Sequence, residues 1–277
     1  MLSNLVLILA LSVSNRTVPP TLQAAPEPDA FLCADANTAV GMAILACTRL
    51  LESGRYDATG RAAWLSNRGL HWQRSGHLAE AVQDFSEAIS LAPDNAQLYI
   101  SRGASYGMAG QLDKALLDFE KVIALDSNSG VAYMNRATAL EKKGRYVESL
   151  RDYDKAIALI PDNWIAWDGR CWLRAIVGQD LDGALADCER ALQMRPDAAN
   201  TLNTRGFVLF RQGHYQDAIA NYNDSILRDP NVASSYYVRG LARKANGEDA
   251  GDDLAKALSL EPAIRQRYEG YGIDTGP

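Results

Sequence analysis

The chain has 277 residues, of which 47% are hydrophobic and 22% are charged, and its formal net charge is −6. This length holds one or two ordinary domains, and the hydrophobic fraction excludes a chain that is disordered throughout. Because nucleic-acid grooves are usually basic, the acidic excess argues against a nucleic-acid partner.

The first thirty residues differ in composition from the rest. The run from Leu5 to Val13 is apolar but too short to span a bilayer as a helix, and polar, proline-rich sequence follows over 14–28. This order resembles a secretory signal cut near Ala24 or Ala25, although no Lys or Arg precedes the apolar run. We therefore predict a leader over 1–30 and a periplasmic or secreted protein with no membrane span in its mature form. A misassigned start codon and a disordered tail are the alternatives.

Residues 31–60 are predicted to form an N-terminal capping helix and its connecting loop. The helix is expected from Ala34 to Gly54, with Ala43, Cys47 and Leu50 on its inner face. It matches the second half of the repeat described next, so it is interpreted as a half repeat.

Residues 61–262 repeat one pattern six times, at a spacing of 34 or 35 residues. Each unit contains two stretches with helical periodicity, separated by a glycine that ends the first helix. A column of small residues marks the first helix: Gly69, Gly103, Ala137, Cys171, Gly206 and Gly240. A column of mostly bulky residues marks the second: Phe85, Phe119, Tyr153, Cys188, Tyr222 and Leu254. A unit of this size cannot bury its apolar face alone, so the units are predicted to stack.

Most units close on a proline, at Pro93, Pro161, Pro196, Pro230 and Pro262. With these prolines the columns resemble the tetratricopeptide repeat family over about residues 62–261. The resemblance implies an all-α fold, a right-handed α-solenoid of helix-turn-helix hairpins with capping helices at both ends. The pattern is interrupted by one extra residue near Asp182 and by a sixth unit that is two residues short after Gly247.

Residues 263–277 are predicted to form a C-terminal capping helix and tail. Ile264, Tyr268 and Tyr271 are its large apolar and aromatic side chains. We expect them to cover the open edge of the last hairpin, as the ends of repeat arrays require.

The four cysteines allow three pairings, and they show no C-x-x-C or metal-ligand spacing. Cys171 and Cys188 occupy the facing small and bulky columns of one hairpin. Cys47 holds the bulky column of the incomplete leading unit, and Cys33 lies just before it. We therefore predict the disulfides Cys33–Cys47 and Cys171–Cys188, each worth about 3 kcal/mol in the chain-entropy model. Four buried free thiols in a reducing cytosol are the alternative.

Charged residues form two further columns beside the hairpin seam. An arginine precedes every small residue of the first helices: Arg68, Arg102, Arg136, Arg170, Arg205 and Arg239. An acid precedes every bulky residue except in one unit, where Asn221 stands: Asp84, Asp118, Asp152, Asp187 and Asp253. We predict that the two columns pair and fix the register of the helices. An anion-binding stripe is the alternative.

The sequence contains no motif for phosphate binding, zinc proteolysis or nucleophilic catalysis. Its three histidines are His71 in a first helix and His77 and His214 beside hinge glycines, which do not make a metal-binding set. We therefore predict a protein that is not an enzyme and that uses no metal and no cofactor.

The resemblance implies that the first helices line the inner wall, where partners bind. The residues at these wall positions are Leu70, Ile100, Met134, Asp168, Trp172, Asn203, Phe207, Phe210 and Tyr237. Relatives that grip a peptide's terminal carboxylate use Lys, Asn and Arg here, whereas this wall becomes apolar and aromatic towards its C-terminal half. We therefore predict a scaffold that binds a peptide or protein segment with apolar anchors.

Three alternatives stay open for this wall. Packing against neighbouring helices or the cap accounts for several of its apolar residues without any partner. A chaperone or assembly factor that holds apolar client segments is the alternative function. A homo-oligomer that uses the groove or an end cap is a third.

Overall fold

The computed structural model describes residues 28–273, and every regular element in that range is an α-helix. The described chain divides into two compact units, one ending at Gly144 and the other starting at Arg145. Within these residues no helix combines the length and the apolar character needed to cross a lipid bilayer. The all-α solenoid fold predicted from the repeat is confirmed. The predicted leader lies almost entirely outside the described residues.

The N-terminal unit, residues 28–144, is built from consecutive helices that pack on their neighbours. It holds α1 (Pro28–Ala34), α2 (Val40–Glu52), α3 (Ala58–Arg74), α4 (Leu78–Leu91), α5 (Ala96–Met108), α6 (Leu112–Leu125) and α7 (Gly130–Lys142). Helices α3 and α4 form one hairpin, and α5 and α6 form the next. The first helices α3, α5 and α7 also contact one another in sequence, which creates a first-helix face.

The C-terminal unit, residues 145–273, continues the same alternation. It holds α8 (Tyr146–Leu159), α9 (Trp164–Val177), α10 (Leu181–Met194), α11 (Ala199–Arg211), α12 (Tyr215–Arg228), α13 (Ala233–Ala245), α14 (Gly251–Leu260) and α15 (Ile264–Glu269). Its first helices α9, α11 and α13 contact one another, and α15 packs on both α13 and α14. The predicted C-terminal capping helix is therefore present.

The leading segment differs from its prediction. One helix from Ala34 to Gly54 was expected, but the helix in this range, α2, begins only at Val40. A separate helix, α1, ends at Ala34 and packs on it. The break follows from Asp35, whose Oδ1 accepts a hydrogen bond from the Asn37 amide and whose Oδ2 accepts one from the Thr38 hydroxyl. Such a side chain forms hydrogen bonds that compete with the backbone hydrogen bonds of a helix, so no helix continues through this turn. The inner face of α2 is as predicted, and its Cys47 is fully buried.

The hinges between paired helices have defined geometry. Gly213, between α11 and α12, has a φ of 82°, which glycine adopts without steric cost. The amide of His214 donates to the Leu209 carbonyl at 2.9 Å, and the amide of Gly213 donates to the Phe210 carbonyl at 3.0 Å. This pair of bonds is a Schellman motif, which satisfies the last carbonyls of α11 and ends the helix.

The extra residue of the fourth repeat and the missing residues of the sixth both fall at the ends of helices. The extra residue of the fourth repeat falls in the α9–α10 turn, where Asp180 is left-handed, with a φ of 50°, and its Oδ1 accepts a hydrogen bond from the Gly183 amide. The short sixth repeat gives an α14 of 10 residues, against 14 in α12. Neither change interrupts the packing of the paired helices.

Candidate binding groove

The predicted arginine–aspartate pairs fix the register of the helices that carry the groove. Arg102 on α5 donates Nε and Nη2 to the two carboxylate oxygens of Asp118 on α6, at 2.9 and 2.7 Å, and Nη1 to the Ser86 hydroxyl on α4. One guanidinium therefore joins its own hairpin to the preceding second helix. The same bidentate pairing occurs in Arg68–Asp84, Arg170–Asp187 and Arg239–Asp253. The pairing prediction is confirmed for these four hairpins.

The pairs are shielded from solvent on the acidic side. The Asp118 side chain is 7% exposed and the Arg102 side chain is 19% exposed. In the fifth hairpin Arg205 donates Nε to the Asn221 carbonyl oxygen at 2.6 Å, so an amide replaces the carboxylate there. In the four arginine–aspartate pairs the bidentate contact adds directional specificity to the attraction between charges.

Both predicted disulfides are present. Cys33 bonds to Cys47 across α1 and α2, and Cys171 bonds to Cys188 across α9 and α10. In four other hairpins the same two columns hold a glycine against a large side chain. A Cβ added at Gly103, for example, would lie 2.7 Å from the Phe119 ring. The fourth hairpin therefore replaces a close packing contact with a covalent one.

The predicted wall residues of the N-terminal unit are mostly covered. Ile100 on α5 is 8% exposed and belongs to the hydrophobic core, and Met134 on α7 is 2% exposed. Leu70 on α3 is half-buried. In this unit the wall positions serve mainly as core.

The wall of the C-terminal unit carries a row of aromatic rings on successive first helices. Trp172 lies on α9, Phe207 on α11 and Tyr237 on α13, and we call the surface that they form the aromatic groove. The ring centroids of Trp172 and Phe207 are 5.6 Å apart. The predicted residue Phe210 does not join this row, because its ring contacts Tyr215 on α12.

The aromatic groove is occupied by residues 264–273 of the same chain, which we call the tail segment. The ring of Tyr268 lies 5.4 Å from Phe207 and 5.3 Å from Tyr237, and that of Tyr271 lies 5.7 Å from Trp172. Tyr268 is 1% exposed, and burial raises the pKa of its phenol. The tail segment thus does more than cover the last hairpin, since it reaches back across α13 and α11 to α9.

Arg211 at the end of α11 binds the tail segment to α9. Its Nη1 donates to the main-chain carbonyl of Tyr271 at 3.3 Å, and to the carbonyls of Ala175 and Ile176 at 3.1 and 3.3 Å. Burial lowers the pKa of this guanidinium. A single charged group therefore satisfies helix-end carbonyls of the groove and one carbonyl of the segment lying in it.

Asn203 links the helices of the groove. Its side-chain amide donates to the hydroxyls of Ser235 and Ser234 on α13, at 2.7 and 3.2 Å. It is 7% exposed, so its polar atoms serve the contact between α11 and α13.

Asp168 lies one helical turn before Trp172 on α9, and its carboxyl group is buried. Burial raises its pKa to about 6, although the neighbouring Thr201 and Thr204 on α11 favour the charged form. Its Oδ1 is shielded from solvent and has no hydrogen-bond partner among residues 28–273. A buried acceptor without a donor costs stability, and such a group is a candidate for binding a donor from a partner.

Several residues of this site were not identified from the sequence as groove residues. Tyr268 and Tyr271 were assigned to the end cap, and Arg211, Thr201 and Thr204 were not singled out. The available signal was the pair of tyrosines three residues apart, which share one side of a helical turn.

Models of the tetratricopeptide repeat match three hairpins, over residues 62–95, 130–163 and 199–232. The chain is a tetratricopeptide repeat protein. A tetratricopeptide repeat protein from Parabacteroides merdae ATCC 43184 has a similar structure, with a TM-score of 0.66 at 20% identity over 84% of this chain and 93% of that chain. No curated protein matches this tetratricopeptide repeat protein in sequence.

Two further solved structures share the fold. YrrB, a TPR protein with an unusual peptide-binding site, gives a TM-score of 0.51 at 22% identity over 68% of this chain and 98% of that chain. A chain of the APC/C hetero-tetramer Cut9-Hcn1 gives 0.70 at 16% identity over 88% of this chain and 50% of that chain. At these identities the likeness concerns the fold alone.

Proposed function

We propose that this tetratricopeptide repeat protein is a non-enzymatic scaffold that binds a peptide or protein segment in the aromatic groove. The observation that carries the proposal is that the groove already holds a polypeptide segment, through ring contacts of Tyr268 and Tyr271. The tetratricopeptide fold supports a protein–protein interaction role, and YrrB, which shares it, has a peptide-binding site.

The chemistry of the groove suits a segment with aromatic or apolar anchors. Aromatic side chains in desolvated pockets dominate the energetics of many interfaces, and Trp172, Phe207 and Tyr237 offer such surfaces on three successive helices. Asp168 adds an acceptor close to Trp172, which favours a partner that presents a hydrogen-bond donor there. Among the remaining predicted wall residues, Asn203 supports this surface by linking α11 to α13, and Phe210 lies on α11 outside the row of rings. Leu70, Ile100 and Met134 belong to the N-terminal unit and are not part of the aromatic groove.

The proposal includes an exported location. Two disulfides join buried cysteines, and disulfides persist mainly in oxidising compartments such as the periplasm or the secreted space. Cell fractionation, with intact-mass measurement before and after reductant, tests this part. Protein recovered from the cytosol with four free thiols would contradict it.

Site-specific photocrosslinking tests the binding face. A benzoylphenylalanine in place of Trp172 is expected to capture another polypeptide in the native host. Trp164 supplies the matched control, because it lies on the same helix but under the Arg195 guanidinium, with 5.7 Å between the guanidinium carbon and the ring centroid. Adducts at both positions alike, or none at position 172 even with Tyr271→Ala, would contradict the proposal.

A further inference from the structure

The tail segment is held in the aromatic groove as a short bound peptide would be. It contacts the aromatic rings of the groove through Tyr268 and Tyr271, and Arg211 through the main-chain carbonyl of Tyr271. Ile264 is buried at its start, and Arg265, Gln266, Glu269 and Gly270 are exposed. The phenol of Tyr268 is hydrogen-bonded to Ser234 on α13, which distinguishes a tyrosine from a phenylalanine at that place. The recognition is therefore concentrated in a few groups.

The spacing of the two tyrosines is set by a tight turn. The amide of Gly272 donates to the Glu269 carbonyl at 2.9 Å, and the amide of Ile273 donates to the Tyr268 carbonyl at 3.1 Å. Gly272 has a φ of 72°, a conformation that favours glycine. This turn places the Tyr268 and Tyr271 rings edge to face, with centroids 5.5 Å apart, so that one meets α11 and α13 while the other meets α9.

The tail segment lies outside the hairpins of the C-terminal unit. It is joined to the solenoid through one turn after α14, and its helix α15 has six residues, too few to be stable alone. Ile264 is fully buried at its start, where α15 packs on α13 and α14, whereas Tyr271 is only half-buried at its far end. Peeling from the far end uncovers Trp172 first and leaves the cap on the last hairpin.

We propose that the tail segment is a displaceable internal occupant of the aromatic groove, and that the partner segment carries the same anchors, a tyrosine followed three residues later by a second aromatic residue. This proposal rests on the proposed function and names the ligand class of that site. Because the internal segment is tethered, it competes at an effective concentration in the millimolar range, and a partner binds strongly only when it outcompetes the tail or when the tail is released.

The test uses the full chain and a labelled synthetic peptide of residues 265–273, with binding measured by fluorescence anisotropy. The Tyr268→Ala/Tyr271→Ala chain is expected to bind the peptide at least about tenfold more tightly than the unaltered chain, since the tethered competitor is lost. Adding Trp172→Ala should reverse the gain. A peptide with alanine at both tyrosines is the control ligand and should not bind.

Tyr271→Ala alone keeps the test decisive if the double variant does not fold, because it retains Ile264 and Tyr268. This single variant should also bind the peptide more tightly than the unaltered chain. If folded variants, verified by circular dichroism, bind no better than the unaltered chain, the proposal is overturned.

A random peptide library selected on the Tyr271→Ala chain separates this proposal from the proposed function. Enrichment of peptides with paired aromatic residues, lost with Trp172→Ala, supports both. Enrichment of Trp172-dependent peptides that lack the pair overturns the ligand class and leaves the binding function standing. Enrichment that ignores Trp172 overturns both.

Discussion

The ring of Tyr271, from the tail segment, stands edge-on to the ring of Trp172 on α9, with the centroids 5.7 Å apart. These residues are separated by two intervening hairpins, so their contact closes the aromatic groove over Phe207. The aromatic groove is therefore covered by the tail segment and is not an open surface. In the proposed function this contact is replaceable, and a partner segment takes the place of Tyr271 beside Trp172.

Replacing the two tail tyrosines should give unequal losses of stability. Tyr268→Ala removes a buried ring and is expected to lower the free energy of unfolding by about 3–5 kcal/mol. Tyr271→Ala removes a half-buried ring that contacts Trp172 and Tyr268, and it should cost about 1 kcal/mol. Urea denaturation measures both. Tyr236→Ala is the control, because that half-buried ring lies beneath Arg239 on another face of α13. Equal losses from the two tail variants would contradict the packing described.

Removing one acid of the arginine pairs should destabilise the N-terminal unit strongly. Asp118→Ala leaves the Arg102 guanidinium without its main partner and is expected to cost about 3 kcal/mol. Asp118→Asn should cost less, because the fifth hairpin shows that an asparagine can accept from the arginine, at 2.6 Å in Arg205–Asn221. Denaturation midpoints give the order. Asp113→Asn, at a side chain 84% exposed, serves as the control, and a loss there as large as in Asp118→Ala would refute the ranking.

The Cys171–Cys188 disulfide should be partly replaceable by packing. Cys171→Ala/Cys188→Ala is expected to lower stability by about 3 kcal/mol through the released loop of 17 residues. Cys171→Gly/Cys188→Phe should recover part of this loss, because it recreates the glycine–phenylalanine contact of Gly103 and Phe119. Denaturation in the presence and absence of reductant compares the variants. A glycine–phenylalanine variant less stable than the alanine variant would contradict the equivalence of the two contacts.

Stability should depend on pH through Asp168. Its folded pKa of about 6 lies above its ordinary value of 3.8, so the folded protein binds more protons than the unfolded chain between these values. The contribution of this group to stability therefore falls as pH rises through that window, by about 3 kcal/mol in total.

Asp168→Asn should consequently match the unaltered protein near pH 4 and exceed its stability above pH 6. The measurement is a series of urea denaturations from pH 4 to pH 8, with the exposed Glu189→Gln as control. Parallel profiles for Asp168→Asn and the unaltered protein would show that the carboxyl is not buried as described.

The repeat allowed much of the fold to be predicted, because its columns are local in sequence and recur. The hinge glycines, the Gly103–Phe119 type of contact, the arginine pairs and both disulfides all follow from positions within one unit or its neighbour. The leading helices were only partly predicted, since the Asp35 turn that separates α1 from α2 has no counterpart in the other units.

The state of the groove could not be predicted in the same way. The tail segment lies outside the repeat and has no equivalent in the other units. Its return across α13 and α11 to α9 therefore could not be predicted from the repeat pattern. Thr201 and Thr204, from the next hairpin, act on Asp168, and column positions within one repeat do not reveal such a neighbour. Residues of the tail were therefore placed at the end of the array and not within the wall.

Hydrogen exchange in the presence of an isotope-labelled peptide of residues 265–273 tests the central claim most directly. The label distinguishes the peptide from the chain's own tail segment in the mass spectrum. If the aromatic groove binds a polypeptide segment reversibly, saturating peptide should speed exchange at the amides of the chain's own residues 268–273 while α9 and α11 stay protected. An unchanged exchange rate in the tail segment at saturating peptide would contradict the account.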